Sequence, residues 1–295
     1  MYVYANGCSM TYGSELADHP VTKVCQDHEY RRRYSWPGRL HAALDADGSY
    51  NDAMPSGSND RVLRTSIDFV ARWLKADLPP RALLVAVGWT HPARREFHVA
   101  GDYRQVVPHH AYDIRALDRL VSVYRKTADC PDEAEQRYAA QVASLHAFLE
   151  QHGIPHVFFN GITAPRPPRH LHGTCVQEAL MGAPFIPHDP AEPTMADFLR
   201  RRPGTVGGQH PNETGHRLWA ETLAAHLESA AFEKALFESV GHGQLAAAGL
   251  PVLGGARALR RHDRKGAERI GRFLRARRTR SRTRRSDRTD PYIYP

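Results

Sequence analysis

Long apolar runs are missing from this chain of 295 residues; none approaches the roughly 18 apolar residues that a membrane-spanning helix needs. The amino terminus lacks a basic segment followed by an apolar one, so no secretory leader is expected and a cytoplasmic setting is the default. Cysteine is scarce: Cys8, Cys25, Cys130 and Cys175 are scattered without C-x-x-C spacing, which excludes a disulfide framework or a zinc ribbon. Histidine is more plentiful, but His109-His110 and His170-x-His172 have no carboxylate or cysteine at ligand spacing. No metal or organic cofactor is therefore expected, and no internal repeat is present.

The chain also lacks a uniform charge. Its formal net charge is +8, yet residues 257–288 hold 15 Lys/Arg against Asp263, Glu268 and Asp287, a local +12 that leaves the remainder at −4. A mildly acidic body thus carries a basic tail. The expected division is an α/β domain over 1–240, a Gly-rich linker over 241–255, and a basic tail, partly helical or disordered, over 256–295.

Within the body, strand and helix patterns alternate. Residues 1–6 read as a strand that runs into Gly7-Cys8-Ser9, and 15–33 read as a polar loop over the site. Ser35-Trp36-Pro37 opens a helix, and a short strand follows near 49–53. Pro55-Ser56-Gly57-Ser58-Asn59-Asp60 leads into a helix ending near Lys75. Leu83–Val87 is a buried strand that stops at Gly88-Trp89-Thr90. Residues 91–110 read as loop. Helices are expected over 114–126 and 133–151, a strand over 156–160, irregular chain over 165–193, and a short helix over 195–202. A helix capped by Asn212 runs to Glu228, and one more covers 232–240. The alternation predicts a three-layer α/β/α sandwich with a central parallel sheet.

A serine nucleophile needs a base for its proton and donors for the oxyanion. Ser9 sits where a chain leaves its first strand, Gly57 follows the second, Thr90 follows the third, and His210-Pro211-Asn212 begins the last main helix. That ordered set resembles the GDSL/SGNH hydrolase superfamily over roughly residues 1–228, with a flavodoxin-like fold implied. The segments Gly7–Gly13, Ser35–Pro37, Gly57–Arg61 and Gly88–Thr90, with Arg94 and Glu96 downstream, are similar to a phage-borne subgroup. The resemblance implies Ser9 as nucleophile, His210 as general base, and the N–H groups of Ser9 and Gly57 as oxyanion donors.

Two positions depart from the superfamily pattern. Thr90 stands where the third-block asparagine is usual, leaving its hydroxyl or the amide of Asn59 to assist the oxyanion. Gly207 stands where an aspartate usually orients the histidine, so a backbone carbonyl or an acid such as Asp189 or Asp197 is expected there. Trp89, Arg94 and Glu96 are candidate substrate contacts, although Trp36, Trp73 and Trp89 also fit core packing, and Arg94, Arg95 and Glu96 a surface charge cluster. His216 fits packing.

The expected activity is removal of a small acyl group from a carbohydrate or other polar ester through an acyl-enzyme on Ser9. Transfer of that acyl group to a hydroxyl is an alternative. So is a catalytically weak binding module tethered to nucleic acid, or to an anionic surface, by residues 257–288.

Overall fold

Strand β1 (Tyr2–Asn6) is buried along its whole length and is the strand on which the sheet is built. A computed structural model describes residues 1–229 other than 23, 100, 108–114, 128–129, 166–173 and 187–188. The expected helix over 232–240, the linker and the basic tail lie outside these residues, as do both histidine pairs.

β1 pairs in parallel with β2 (Gly48–Asn51) on one side and β3 (Leu83–Trp89) on the other, and β3 pairs in parallel with β6 (His156–Asn160). The order β2-β1-β3-β6 is that of a flavodoxin-like doubly wound sheet. Alternation along the strands sends side chains to two cores. Val3, Ala5, Leu84, Ala86, Val157 and Phe159 meet Trp36 and Leu40 of α3 (Trp36–Ala43), Leu199 of α8 (Met195–Arg200) and Trp219 of α9 (Glu213–Leu227). Tyr2, Tyr4, Val85, Val87 and Phe158 meet Phe69 and Trp73 of α4 (Asn59–Lys75) and Val142 and Leu145 of α6 (Pro131–Gln151). The result is a three-layer α/β/α sandwich. Among the described residues no helix is long and apolar enough to cross a membrane.

Three segments differ from the sequence reading. The stretch taken as loop from 91 onward contains an antiparallel hairpin, β4 (Arg95–Val99) and β5 (Asp102–Val106), turned at Gly101 with φ +81°. Its Arg/His-rich composition hides the pattern. Phe97, Val99 and Val106 nonetheless share one face and pack on Leu117 and Val121 of α5 (Arg115–Thr127). The polar segment 15–33 closes with α2 (His28–Tyr34), whose first amides donate to Asp27 Oδ1 at 2.9 and 2.8 Å. The proline-rich stretch contains α7 (Cys175–Gly182), capped by Thr174.

Candidate active site

The turn after β1 is tight enough that side chains do not fit. A Cβ at Gly7 would lie 2.4 Å from Thr11 Oγ1 and 2.8 Å from the Gly88 carbonyl; one at Gly57 would lie 2.9 Å from the Gly7 carbonyl. The Gly7 N–H donates to Asn6 Oδ1 at 2.8 Å, while Asn6 Nδ2 donates to Thr65 Oγ1 (2.9 Å) and Ser66 Oγ (3.0 Å) of α4. So fixed, the chain enters α1 (Ser9–Tyr12) with Ser9 as its first helical residue, whose N–H has no partner inside the helix. Ser9 is 8% exposed, and its Oγ makes no hydrogen bond among the described residues. It stands at the carboxyl end of β1, beside the β1/β3 switch point where doubly wound sheets bind ligands.

His210 comes from the loop before α9. That loop is braced by Gly207 N–H to the His210 carbonyl (3.2 Å), Asn212 N–H to the Thr205 carbonyl (3.0 Å), and the Asn212 side chain capping Gly215 N–H at 3.0 Å. His210 Nδ1 lies 2.9 Å from Glu15 Oε1. With a carboxylate as acceptor, Nδ1 carries the proton and Nε2 is left as a base. No hydrogen bond joins Ser9 Oγ to His210 among the described residues; Ser9 is instead linked to the acid's segment by Gly13 N–H and Ser14 N–H, which donate to its carbonyl at 3.1 and 3.2 Å.

Glu15 is the residue that the sequence reading missed. Its backbone is left-handed, φ +72°, a conformation costing a non-glycine residue on the order of 1–2 kcal/mol. Asp18 offsets this cost, because its Oδ2 accepts the Glu15 N–H at 2.8 Å. Asp18 faces Arg31 at 3.7 Å, both side chains less than a tenth exposed, and the Arg31 guanidinium lies over the Tyr12 ring at 3.7 Å. Room for the carboxylate comes from Gly208, where a Cβ would lie 2.7 Å from Glu15 Oε2. The pair Gly207-Gly208 ahead of the histidine was the available signal: the usual acid is gone, and so is the bulk that would keep another acid out. Neither suggested acid meets His210. Asp197 binds Thr194 and Arg200, and Asp189 accepts the Ala191 N–H.

The oxyanion side departs from expectation. The Gly57 N–H donates to the Met54 carbonyl at 3.0 Å, inside its own turn. Asn59 is 1% exposed and turns its amide to Thr90, donating one N–H to the Thr90 carbonyl (3.1 Å) and accepting the Thr90 N–H (2.8 Å). Thr90 is fully buried, and its Oγ1 accepts from Arg94 at 2.9 Å. Asn59 and Thr90 thus hold each other in place, and the Gly57 N–H is turned into its own loop.

Of the other candidates, Trp89 is fully buried and packs edge-on against Tyr138 and Phe158, so it is core and no substrate contact. Glu96 is locked by a two-pronged pair to Arg64 (2.6 and 2.8 Å) and by Gln105 Nε2 at 2.7 Å; Gln105 Oε1 in turn accepts the Ser58 N–H at 2.8 Å. It tethers the hairpin to the loop bearing Gly57 and contacts no open space. Arg94 is half-buried and turned inward on Thr90. Trp36 and Trp73 are fully buried. His216 is buried with Nδ1 accepting the Trp36 N–H at 3.1 Å, and desolvation pushes its pKa down to about 3. Among the described residues no group of three or more His, Cys, Asp or Glu is arranged to hold a metal ion.

The fold and this edge define an α/β protein of flavodoxin-like topology with a serine, a histidine and a carboxylate at the carboxyl end of its sheet. The chain belongs to the family of unknown function DUF6071, whose model matches residues 14–234, a span that includes Glu15 and His210. No curated protein matches it. A solved structure similar to it is of a carbohydrate esterase, whose active site is described as displaying divergent catalytic and non-catalytic binding functions. The two are 13% identical over 78% of this chain and 69% of that one, with a TM-score of 0.39. What this site can do rests on the chain's own residues.

Proposed function

We propose that the protein is a serine ester hydrolase of SGNH type, acting on a small acyl ester of a carbohydrate or another polar alcohol. Ser9 Oγ attacks the acyl carbon as its proton passes to His210 Nε2, and the carbonyl π pair moves onto oxygen. The C=O re-forms as the alcohol leaves with the proton from His210, and water repeats the cycle to release the acid. Glu15 holds the imidazole in the required tautomer and stabilises its charged form. The observation that carries this reading is the 2.9 Å contact between His210 and Glu15, which supplies an orienting acid where Gly207 removed one.

A second reading, a binding module with little catalysis, draws on the internal use of the Gly57 and Asn59 amides. A fluorophosphonate probe separates the two readings. The hydrolase takes the label on Ser9 and cleaves short p-nitrophenyl esters, and Ser9→Ala and His210→Ala lose both; a wild-type chain that does neither is a binding module. Residues 257–288 are proposed to hold the protein to nucleic acid, with affinity falling steeply as salt rises. Truncation after Gly255 is expected to abolish salt-sensitive DNA retention and to leave labelling intact.

A further inference from the structure

The oxyanion requires donors that the expected residues do not supply. Ser9 offers its N–H at the start of α1, but the Gly57 N–H is directed to Met54, the buried Asn59 amide is turned to Thr90, and the Thr90 side chain is fully buried. One donor alone is a poor oxyanion site, since removal of a single donor from a complete one costs on the order of 10²–10³ in rate.

Arg94 stands on the same edge. It follows β3, the strand paired with β1 across the switch point, where Ser9 ends one strand and Thr90 the other. Among the described residues its guanidinium is anchored by one bond, to Thr90 Oγ1 at 2.9 Å, and Thr90 is itself clamped through its N–H and carbonyl by Asn59. Four other arginines of this neighbourhood each meet a carboxylate: Arg61 on Asp52, Arg64 on Glu96, Arg95 on Asp60 and Arg137 on Glu133. Arg94 meets none among the described residues. A half-buried guanidinium that has N–H groups unspent among the described residues, held in one direction by a rigid hydroxyl, is prepared for an anion.

We infer that Arg94 is a catalytic residue of the proposed hydrolase, donating to the oxyanion in place of the amide that an asparagine at position 90 would supply. The threonine hydroxyl is too short to do so, and serves instead as the anchor from which a longer, charged donor extends. In the ground state the ester oxygen is neutral. The negative charge develops only as Ser9 adds, so Arg94 acts mainly on the transition state and its loss falls on kcat rather than KM. This inference rests on the serine hydrolase reading.

The test uses the full chain with p-nitrophenyl acetate, an ester with no charged acyl group, and a fluorophosphonate. Arg94→Ala is expected to lower kcat on the order of 10²–10³-fold with KM within about threefold, and to slow Ser9 labelling in parallel. Added guanidinium is expected to restore part of both rates in Arg94→Ala and to do nothing for wild type. Arg94→Lys, which keeps the charge and loses the fork, is expected to fall between the two. Unchanged kcat in Arg94→Ala, a change confined to KM, or the absence of guanidinium rescue in a variant that melts like wild type would each overturn the assignment. Should both Arg94 variants fail to fold, Thr90→Val decides instead: it removes the anchor and must lower kcat if Arg94 acts from it. A wild-type chain that is neither labelled nor active defeats the hydrolase reading itself. Labelling of wild type with full activity in Arg94→Ala defeats this inference alone.

Discussion

Glu15 Oε1 and His210 Nδ1 lie 2.9 Å apart although 195 residues separate them in the chain. The orienting acid of the proposed triad therefore comes from the segment that carries the nucleophile, and the histidine loop supplies only the base. Glu15→Gln is expected to lower kcat on the order of 10²–10⁴-fold with little change in melting temperature, because the side chain is about a quarter exposed, at 27%. Equal activity in wild type and Glu15→Gln would remove Glu15 from the mechanism.

Gly208→Ala tests the same contact from the opposite side. The added methyl would lie 2.7 Å from Glu15 Oε2, and the carboxylate, as the end of a flexible side chain, would move away. Activity is expected to fall towards that of Glu15→Gln while the protein stays folded. Combining the two substitutions is expected to cost no more than the worse one alone, the mark of two changes acting on one contact.

In the proposed mechanism Asp18, which accepts the Glu15 N–H and faces Arg31, acts through Glu15. Asp18→Asn keeps the hydrogen bond to the Glu15 N–H and weakens the ion pair; Asp18→Ala removes both and frees a left-handed backbone to relax. The expected order of kcat is wild type, then Asp18→Asn, then Asp18→Ala, as the carboxylate loses its fixed position beside His210. Equal kcat across the series would leave Asp18 with a role in stability alone.

Glu96→Gln is expected to cost stability and not substrate binding. The carboxylate is buried between Arg64 and Gln105, with its Arg64 partner partly exposed at 39%, so the loss is set at about 1–3 kcal/mol. Urea unfolding measures the loss, and an unchanged KM confirms that Glu96 is no substrate contact.

Acid is expected to weaken the fold through buried histidines. His156 donates from Nδ1 to the Ile154 carbonyl (2.9 Å) and accepts from His146 at 2.8 Å; desolvation lowers the pKa of both, that of His156 to about 4. His216 is lowered to about 3 for the same reason. The unfolded chain takes up protons at these residues near pH 6.5, whereas the folded chain resists until much lower pH. Stability is thus fully present above about 6.5 and declines as pH falls towards 4, by up to about 1.4 kcal/mol per pH unit for each histidine. Urea midpoints measured across this window should show a shallower slope in His156→Gln than in wild type.

Much of this was legible in the sequence. The apolar run Leu83–Val87, the strand His156–Asn160 and the Asn212 cap show the sheet and its last helix, because burial on both faces and helix capping leave local marks. The spacing of Ser9 and His210 marks the sheet edge. Glu15 left no such mark: its role depends on a left-handed turn and on a partner contributed 195 residues later, and neither follows from its neighbours. The fates of Gly57 and Thr90 were hidden for a similar reason, since which way an amide points is decided by Met54 and Asn59 after the chain has folded. The hairpin at 95–106 was masked by its own charges, half of which turn inward to pair.

The proposed nucleophile and acid lie on one unbroken run of chain, Ser9 to Glu15, and they therefore travel together. Any exchange of gene segments that carries the first strand and its loop delivers both, while the histidine, the glycine at position 208 and Arg94 come from elsewhere in the chain. A search that recognises such proteins by an acid at fixed spacing before the histidine would discard this chain as inactive. A search for a glutamate just beyond the serine turn, matched to a glycine pair ahead of the histidine, would find it.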